Sequence, residues 1–448
     1  MNVLDRLDTT LRVVGGQRLE GSVDVQGAKN AALPIMAASL LARGKVTLHR
    51  VPRITDVSVM WSLLEALGAR LSMDARNTIT IDASNVARYR APYALVRKLA
   101  ASFDLCGPLL GRFGQAEVPL PGGCVLGTRA TDMHEQAFRA LDAEVASQHG
   151  YLVARARQGR LQGGDIEFRT PSVGATKNAL LAAVTAEGDT IIRNAAMEPE
   201  VVDLANFLVA MGAKVLGQGG DTMRITGVSE LHGVEYSIIP DRIATGTLLI
   251  AGAITRGDVT VRNTRPDDLA ALQFSLGECG VQVTSGDDWV RASATKLKGG
   301  TDIVTAPHPG FPTDMQPQML AFLCTAPGVS VVEESIFNAR FSFVNELVRM
   351  GADVRVAMDN NTALVKGVDQ LSGAPVEAPD IRAGAALVCA GLAAMGETEI
   401  IGLEYIDRGY ERLEETLQSL GGQVQRSSGV TPFAEPIGNF ETAIYPSV

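Results

Sequence analysis

A cysteine directly after Pro-Gly-Gly, in the segment PLPGGCVLGTR from Pro119 to Arg129, is the sharpest chemical feature of the chain. The glycines place Cys124 on a turn expected to be mobile, whereas Cys106, Cys279, Cys324 and Cys389 sit in apolar or helical contexts. Exposure and thiolate character decide thiol reactivity, so Cys124 is the candidate reactive thiol, with Arg129 as a nearby cation. The alternative is an ordinary loop cysteine. Lys29 and Asn30 stand where a strand hands over to an apolar helix, and the free amides and dipole of a helix start favour an anion there. A solvated lysine at a helix start is the commoner case, and Lys177 with Asn178 occupies the corresponding place in the third repeat described below, so the pair also reads as repeat ancestry. Asp314 in FPTDMQ reads first as a helix cap and second as a base. Arg340 in NARFSF, Arg382 in DIRAGAAL and Arg408 in IDRGYER lie beside apolar helices in what look like comparable parts of the later repeats, and three such arginines suggest a convergent anion site.

These residues are carried by a repeat. A glycine that ends a small-residue helix and precedes an alternating strand recurs at Gly44, Gly114, Gly188, Gly257, Gly328 and Gly396, in steps of 70, 74, 69, 71 and 68 residues. A second landmark runs in phase at Gly68, Asp142, Gly212, Gly280, Gly351 and Gly421, where a left-handed residue is expected to close an amphipathic helix. Each unit then reads strand, helix, strand, helix, strand pair. The first helix of each unit, as in NAALPIMAASLLA and GAALVCAGLAA, is apolar all round and is expected to be buried on every side; the second exposes one face. The α/β pattern predicts inner helices ringed by sheets and outer helices. The candidate crossings between two three-unit lobes are around Gly27 and Pro240, which predicts one domain over 29–239 and a second over 1–28 plus 240–448, with the active site in the cleft between them.

The 448 residues include 46% hydrophobic and 20% charged side chains, a globular balance. The net charge of −10 does not fit a nucleic-acid surface, so an anionic ligand must meet a local basic cluster. No apolar run approaches membrane-spanning length, and the N-terminal residues lack a secretory apolar core. Five cysteines without short paired spacing argue against a disulfide framework or a zinc site, so a reducing cytoplasm is expected.

The motifs GAKNAALP, LPGGCVLGTR, SVGAT, NAAMEPEVVD, PDRIATGT, TAPHPGFPTDMQ and IDRGYER, in that order over nearly the whole chain, resemble the UDP-N-acetylglucosamine enolpyruvyl transferases (MurA). The resemblance implies two inverse α/β barrel domains, each of three βαβαββ units. It implies that Lys29, Arg129 and Arg408 bind the phosphate of phosphoenolpyruvate, with Arg340, Arg382 and Arg408 near its carboxylate. Asn30 and Asp314 would hold the acceptor hydroxyl. Asp132, Ser172, Val173, Gly174 and Ile336 would receive a uridine nucleotide, with Arg129 beside it. Cys124 matches the cysteine that forms an adduct with phosphoenolpyruvate and is alkylated by fosfomycin. Catalysis is assigned to Cys124, Asp314, Lys29 and Arg408, with no metal or organic cofactor.

Departures from the family pattern gather at the nucleotide end. Ala100 stands where the family has an arginine, Ala130 where it has a proline, and Thr170 where it has a lysine. Each charge-assisted hydrogen bond is worth about 1.5–3 kcal/mol, so two lost cations weaken a diphosphate site more than the donor site. Another acceptor such as UMP, and a nucleotide-binding paralogue without turnover, are the competing expectations.

Overall fold

The computed structural model describes residues 9–120 and 131–427. Six inner helices carry the design: α1 (Lys29–Ala38), α2 (Cys106–Phe113), α3 (Val173–Ala183), α4 (Arg242–Ile254), α5 (Gln316–Leu323) and α6 (Ile381–Ala393). Their small and apolar residues leave nothing to solvate, and all of α4 is buried.

Each inner helix leads into a strand, an outer helix and an antiparallel pair. In the third unit Asp165–Glu167 runs parallel to Asp189–Arg193, which pairs antiparallel with Thr222–Thr226, itself paired with Lys214–Leu216. The alternating buried and exposed residues of these strands put one face on the inner helices. The other units repeat this sheet, with the first strand of the second unit reduced to a bridge between Arg90 and Glu117.

Two rings close with strands taken from elsewhere in the sequence. Glu235–Ser237 supplies the first strand of the first unit by pairing with Lys45–His49. Glu20–Asp24 supplies that of the fourth unit beside Asp258–Arg262, and Leu11–Val14 completes the sixth between Glu397–Ile401 and Gln423–Arg426.

The apolar side chains form two clusters, one from Ala28 to Ile238 and one joining Leu11–Val25 to residues 243–424. Where the chain passes between them, Gly27 and Pro240 form a bridge, flanked by Ala28 N–H donating to Ile239 O and Asp241 N–H to Gln26 O. All six outer-helix landmarks, from Gly68 to Gly421, have positive φ, including Asp142 at 61° in the one copy without glycine. In the fourth unit Arg256 rather than Gly257 takes the left-handed conformation; Gly257 is glycine because a Cβ there would lie 2.0 Å from Leu19 O.

Candidate active site

Lys29 is the first residue of α1, whose start has no side-chain cap. Asp241 does that work from the second crossing segment: its Oδ1 accepts from Ile243 and Ala244 N–H at the start of α4, while its Oδ2 accepts from Lys29 N–H at 3.2 Å. One carboxylate thus ties the starts of α1 and α4 across the two lobes.

The Lys29 ammonium meets Asp56 Oδ2 at 2.7 Å, and Arg408 Nε donates to Asp56 Oδ1 at 2.8 Å. Asp56 sits in the first turn of the outer helix Thr55–Leu67, and the backbone explains its reach: Thr55 N–H donates to Asp407 O, and Arg53 N–H to Glu411. Burial disfavours the Asp56 carboxylate, but Lys29 and Arg408 override it and hold its pKa below the ordinary value. Burial lowers the pKa of Lys29, as do Arg382 and Arg408, against the opposing pull of Asp56. Sequence reasoning missed Asp56, whose only signal was an acidic residue in a helix first turn.

Asp314 lies in the turn Thr313–Met315 just before α5. The capping expectation is overturned: its carboxylate caps no helix end and instead accepts from Arg340 Nη2 at 3.1 Å, Arg382 Nη2 at 2.9 Å and Asn30 Nδ2 at 3.2 Å. Burial raises its pKa, yet Arg382 and Arg340 prevail and keep it far below the carboxylate range. Asp314 is therefore ionised throughout the physiological range, with a low proton affinity that suits orienting a hydroxyl better than storing its proton. The linked stability is present above the ordinary carboxylate pKa and is lost as pH falls through the depressed one.

The three arginines do not share one partner. Arg340 and Arg408 both precede outer helices, of the fifth and sixth units, whereas Arg382 sits in the first turn of α6, one residue further in than Lys29 in α1. Arg340 and Arg382 meet on Asp314, and Arg408 turns to Asp56. Arg340 Nε and Arg382 Nη1 are buried with no hydrogen-bond partner among the described residues. A site with four cations and spare guanidinium donors around two carboxylates can take an anion bearing more than one charged group. Behind it, Arg242 at the start of α4 forks onto Glu200 of the first lobe, Nε to Oε1 at 2.9 Å and Nη2 to Oε2 at 3.1 Å, a pairing hidden inside the quoted NAAMEPEVVD and PDRIATGT motifs.

Lys177 does not take the place of Lys29. It lies in the second turn of α3, pairs with Asp104 at 2.7 Å, and its neighbour Asn178 accepts from Gly107 N–H and donates to Phe103 O. That pair holds α3 against α2 inside the first lobe.

Among the described residues, Asp132, Ser172, Val173 and Gly174 lie together in the first lobe and share no hydrogen-bond partner with Lys29 or Asp314. Ser172 caps α3 by accepting from Ala175 N–H, Val173 is exposed, and Gly174 passes the His134 ring so closely that a Cβ would sit 3.2 Å from it. Burial and Lys177 lower the His134 pKa to about 4, so a neutral ring supports this turn. Asp132 pairs with the exposed Arg169 at 2.7 Å, a cation beside Thr170 that sequence reasoning also missed. Ile336 is exposed in the second lobe; its N–H donates to Glu334, whose other oxygen accepts from Thr313, next to Asp314. Cys124, Arg129 and Ala130 lie outside the described residues.

Residues 13–417 match the family model for EPSP synthase (3-phosphoshikimate 1-carboxyvinyltransferase). A UDP-N-acetylglucosamine 1-carboxyvinyltransferase from Psychrobacter sp. is 49% identical over 424 residues, 94% of this chain and 98% of the relative. The chain belongs to the UDP-N-acetylglucosamine 1-carboxyvinyltransferase family. The carboxyvinyltransferase of Gloeobacter violaceus is 48% identical, covering 96% of this chain and 93% of its own. Among solved structures, the enolpyruvyl transferase NikO from Streptomyces tendae superposes with a TM-score of 0.83 at 27% identity, over 94% of this chain and 99% of NikO. EPSP synthase from Acinetobacter baumannii shares the fold, with a TM-score of 0.71 at 17% identity over 94% and 100% of the two chains.

The other cysteines of this carboxyvinyltransferase are poor nucleophiles. Cys106, Cys279, Cys324 and Cys389 are buried, and burial pushes their thiols up, to about 12 for the last three. Brief treatment with fosfomycin followed by peptide mass mapping is expected to modify Cys124 and none of these four; preferential labelling of any of them would remove the role assigned to Cys124.

Proposed function

We propose that the chain transfers the enolpyruvyl group of phosphoenolpyruvate to the 3-hydroxyl of UDP-N-acetylglucosamine and releases inorganic phosphate, a step of peptidoglycan precursor synthesis in the cytoplasm. The observation that carries this reading is the pairing of Asn30, Arg340 and Arg382 on Asp314, with Lys29 and Arg408 on Asp56. The near-full-length identity to carboxyvinyltransferases supports it.

In this reading the phosphate of phosphoenolpyruvate is held by Lys29, Arg129 and Arg408, and its carboxylate by Arg340, Arg382 and Arg408. Asn30 and Asp314 orient the acceptor hydroxyl. A proton adds to C3, with Cys124 the candidate donor, and the hydroxyl oxygen attacks the resulting electrophilic C2 as it loses its own proton. Loss of a proton from C3 and of phosphate from C2 then restores the double bond in the product. The cations neutralise both anionic groups and the departing phosphate. Cys124 also forms the phosphoenolpyruvate adduct and the fosfomycin adduct. Asp132, Ser172, Val173, Gly174 and Ile336 receive the uridine nucleotide. The substrates are small molecules, no nucleic acid or membrane takes part, and among the described residues no helix is long and apolar enough to cross a membrane.

Ala100, Ala130 and Thr170 favour a second reading in which the acceptor is a smaller uridine nucleotide such as UMP. Comparing kcat/KM for the two acceptors separates the readings. UDP-N-acetylglucosamine is expected to be the better substrate; a tenfold or greater advantage for UMP, about 1.4 kcal/mol of transition-state preference, would replace the first reading with the second.

A further inference from the structure

Tyr410 is buried two residues beyond Arg408, and its ring centre lies 5.7 Å from the guanidinium carbon of Arg382. That distance is within reach of a cation–π contact, which strengthens where water is excluded. The Tyr410 hydroxyl lies 3.0 Å from Thr247 Oγ1 and accepts from Gln318 Nε2 at 3.1 Å. Thr247 belongs to α4, Gln318 to α5 and Arg382 to α6, so one ring joins the inner helices of all three units of the second lobe. The backbone around it is held from the first crossing segment: Gln26 Nε2 donates to Gly409 O at 3.0 Å, and Gln26 Oε1 accepts from Glu411 N–H at 2.7 Å.

A buried tyrosine is satisfied by one hydrogen-bond partner, and here two fix the ring in a single orientation. Arg382 has the opposite situation. Nη2 is anchored on Asp314, Nη1 has no partner within ordinary hydrogen-bond geometry among the described residues, and the remaining electrostatic contact of the guanidinium on this side is with Tyr410. Tyr410 is in place to constrain the guanidinium plane.

We propose that Tyr410, clamped by Gln318 and Thr247, is a positioning residue that sets the plane of Arg382 for the donor carboxylate. The short stretch from Arg408 to Tyr410 then places both arginines from one local structure. This inference rests on the reading of Arg382 as a carboxylate ligand for phosphoenolpyruvate.

The test is a set of KM measurements for phosphoenolpyruvate, with the acceptor saturating and melting temperature recorded in parallel. Tyr410→Phe keeps the ring but loses the hydroxyl, and with it both the clamp and the hydroxyl's contribution to holding Arg382, and should raise this KM about fivefold while kcat and the acceptor KM move less than twofold. Gln318→Met should act in the same direction, and its combination with Tyr410→Phe should be no worse than the larger single effect. In an Arg382→Lys background, Tyr410→Phe should add nothing, because the group it positions has gone. A Tyr410→Phe effect that persists in full in that background, or that appears equally in both KM values, means a general packing role and overturns the proposal. So does an unchanged KM in both single variants. If Tyr410→Phe fails to fold, Gln318→Met with and without Arg382→Lys decides alone. Absence of phosphate release by the unmodified protein would instead contradict the functional reading.

Discussion

Lys29→Ala and Arg408→Ala are each expected to lower kcat/KM for phosphate release about a thousandfold while the protein still folds. Removing one preorganised partner of a developing charge costs about 10²–10³ in rate, and both residues are assigned to the phosphate that departs. Folding survives because Asp56 keeps one cation in either variant: Arg408 at 2.8 Å without Lys29, and Lys29 at 2.7 Å without Arg408. The double variant leaves Asp56 buried without a counter-ion and should lose roughly 3 kcal/mol of stability in urea denaturation. Near-normal turnover in both single variants would remove the anion site from this part of the molecule, and a double variant as stable as either single one would contradict the Asp56 pairing.

The second large effect is expected at Asp314. Asp314→Asn keeps the shape and removes the charge, and turnover should fall by about 10²–10⁴ if the carboxylate orients or deprotonates the acceptor hydroxyl. Asp314→Ala separates catalysis from electrostatics. It leaves Arg340 and Arg382, both almost fully buried, facing each other without their shared anion, and should cost about 2 kcal/mol or more in the ligand-free protein. An added anion can then occupy the vacated donors, so phosphoenolpyruvate should raise the melting temperature of Asp314→Ala more than that of the unmodified protein. Equal shifts in the two proteins would show that the arginines are not the carboxylate site.

What the sequence made visible was local and periodic. The seventy-residue repeat could be read because each outer helix ends in a left-handed residue, a requirement so local that Asp142 satisfies it where glycine is missing. The largely buried inner helices could be read because they carry almost no polar residue to place outside. The pairing of charges could not. Asp56 and Arg408 are separated by most of the chain, and a first-turn aspartate looks the same whether it faces solvent or a guanidinium. From its residue type and position alone Asp314 read first as a cap; its convergence with Asn30, Arg340 and Arg382, which come from three other segments, could not be read from spacing. Lys177 shared a dipeptide with Lys29, but a shift of one turn along its helix turned it inward to Asp104. The pairings that close the two rings were equally hidden, even though residues 1–28 were expected in the second lobe, since Glu20–Asp24 and Glu235–Ser237 lie far in sequence from the strands they pair with.

The proposed reaction is a balanced group transfer, and the most direct measurement follows both of its products. The protein is incubated with phosphoenolpyruvate and UDP-N-acetylglucosamine, inorganic phosphate is counted, and the nucleotide product is weighed by mass spectrometry. One phosphate is expected for each sugar nucleotide that gains an enolpyruvyl group, with the new ether on the 3-oxygen by NMR. Phosphate release without a modified nucleotide, or no phosphate release at saturating concentrations of both substrates, would contradict it.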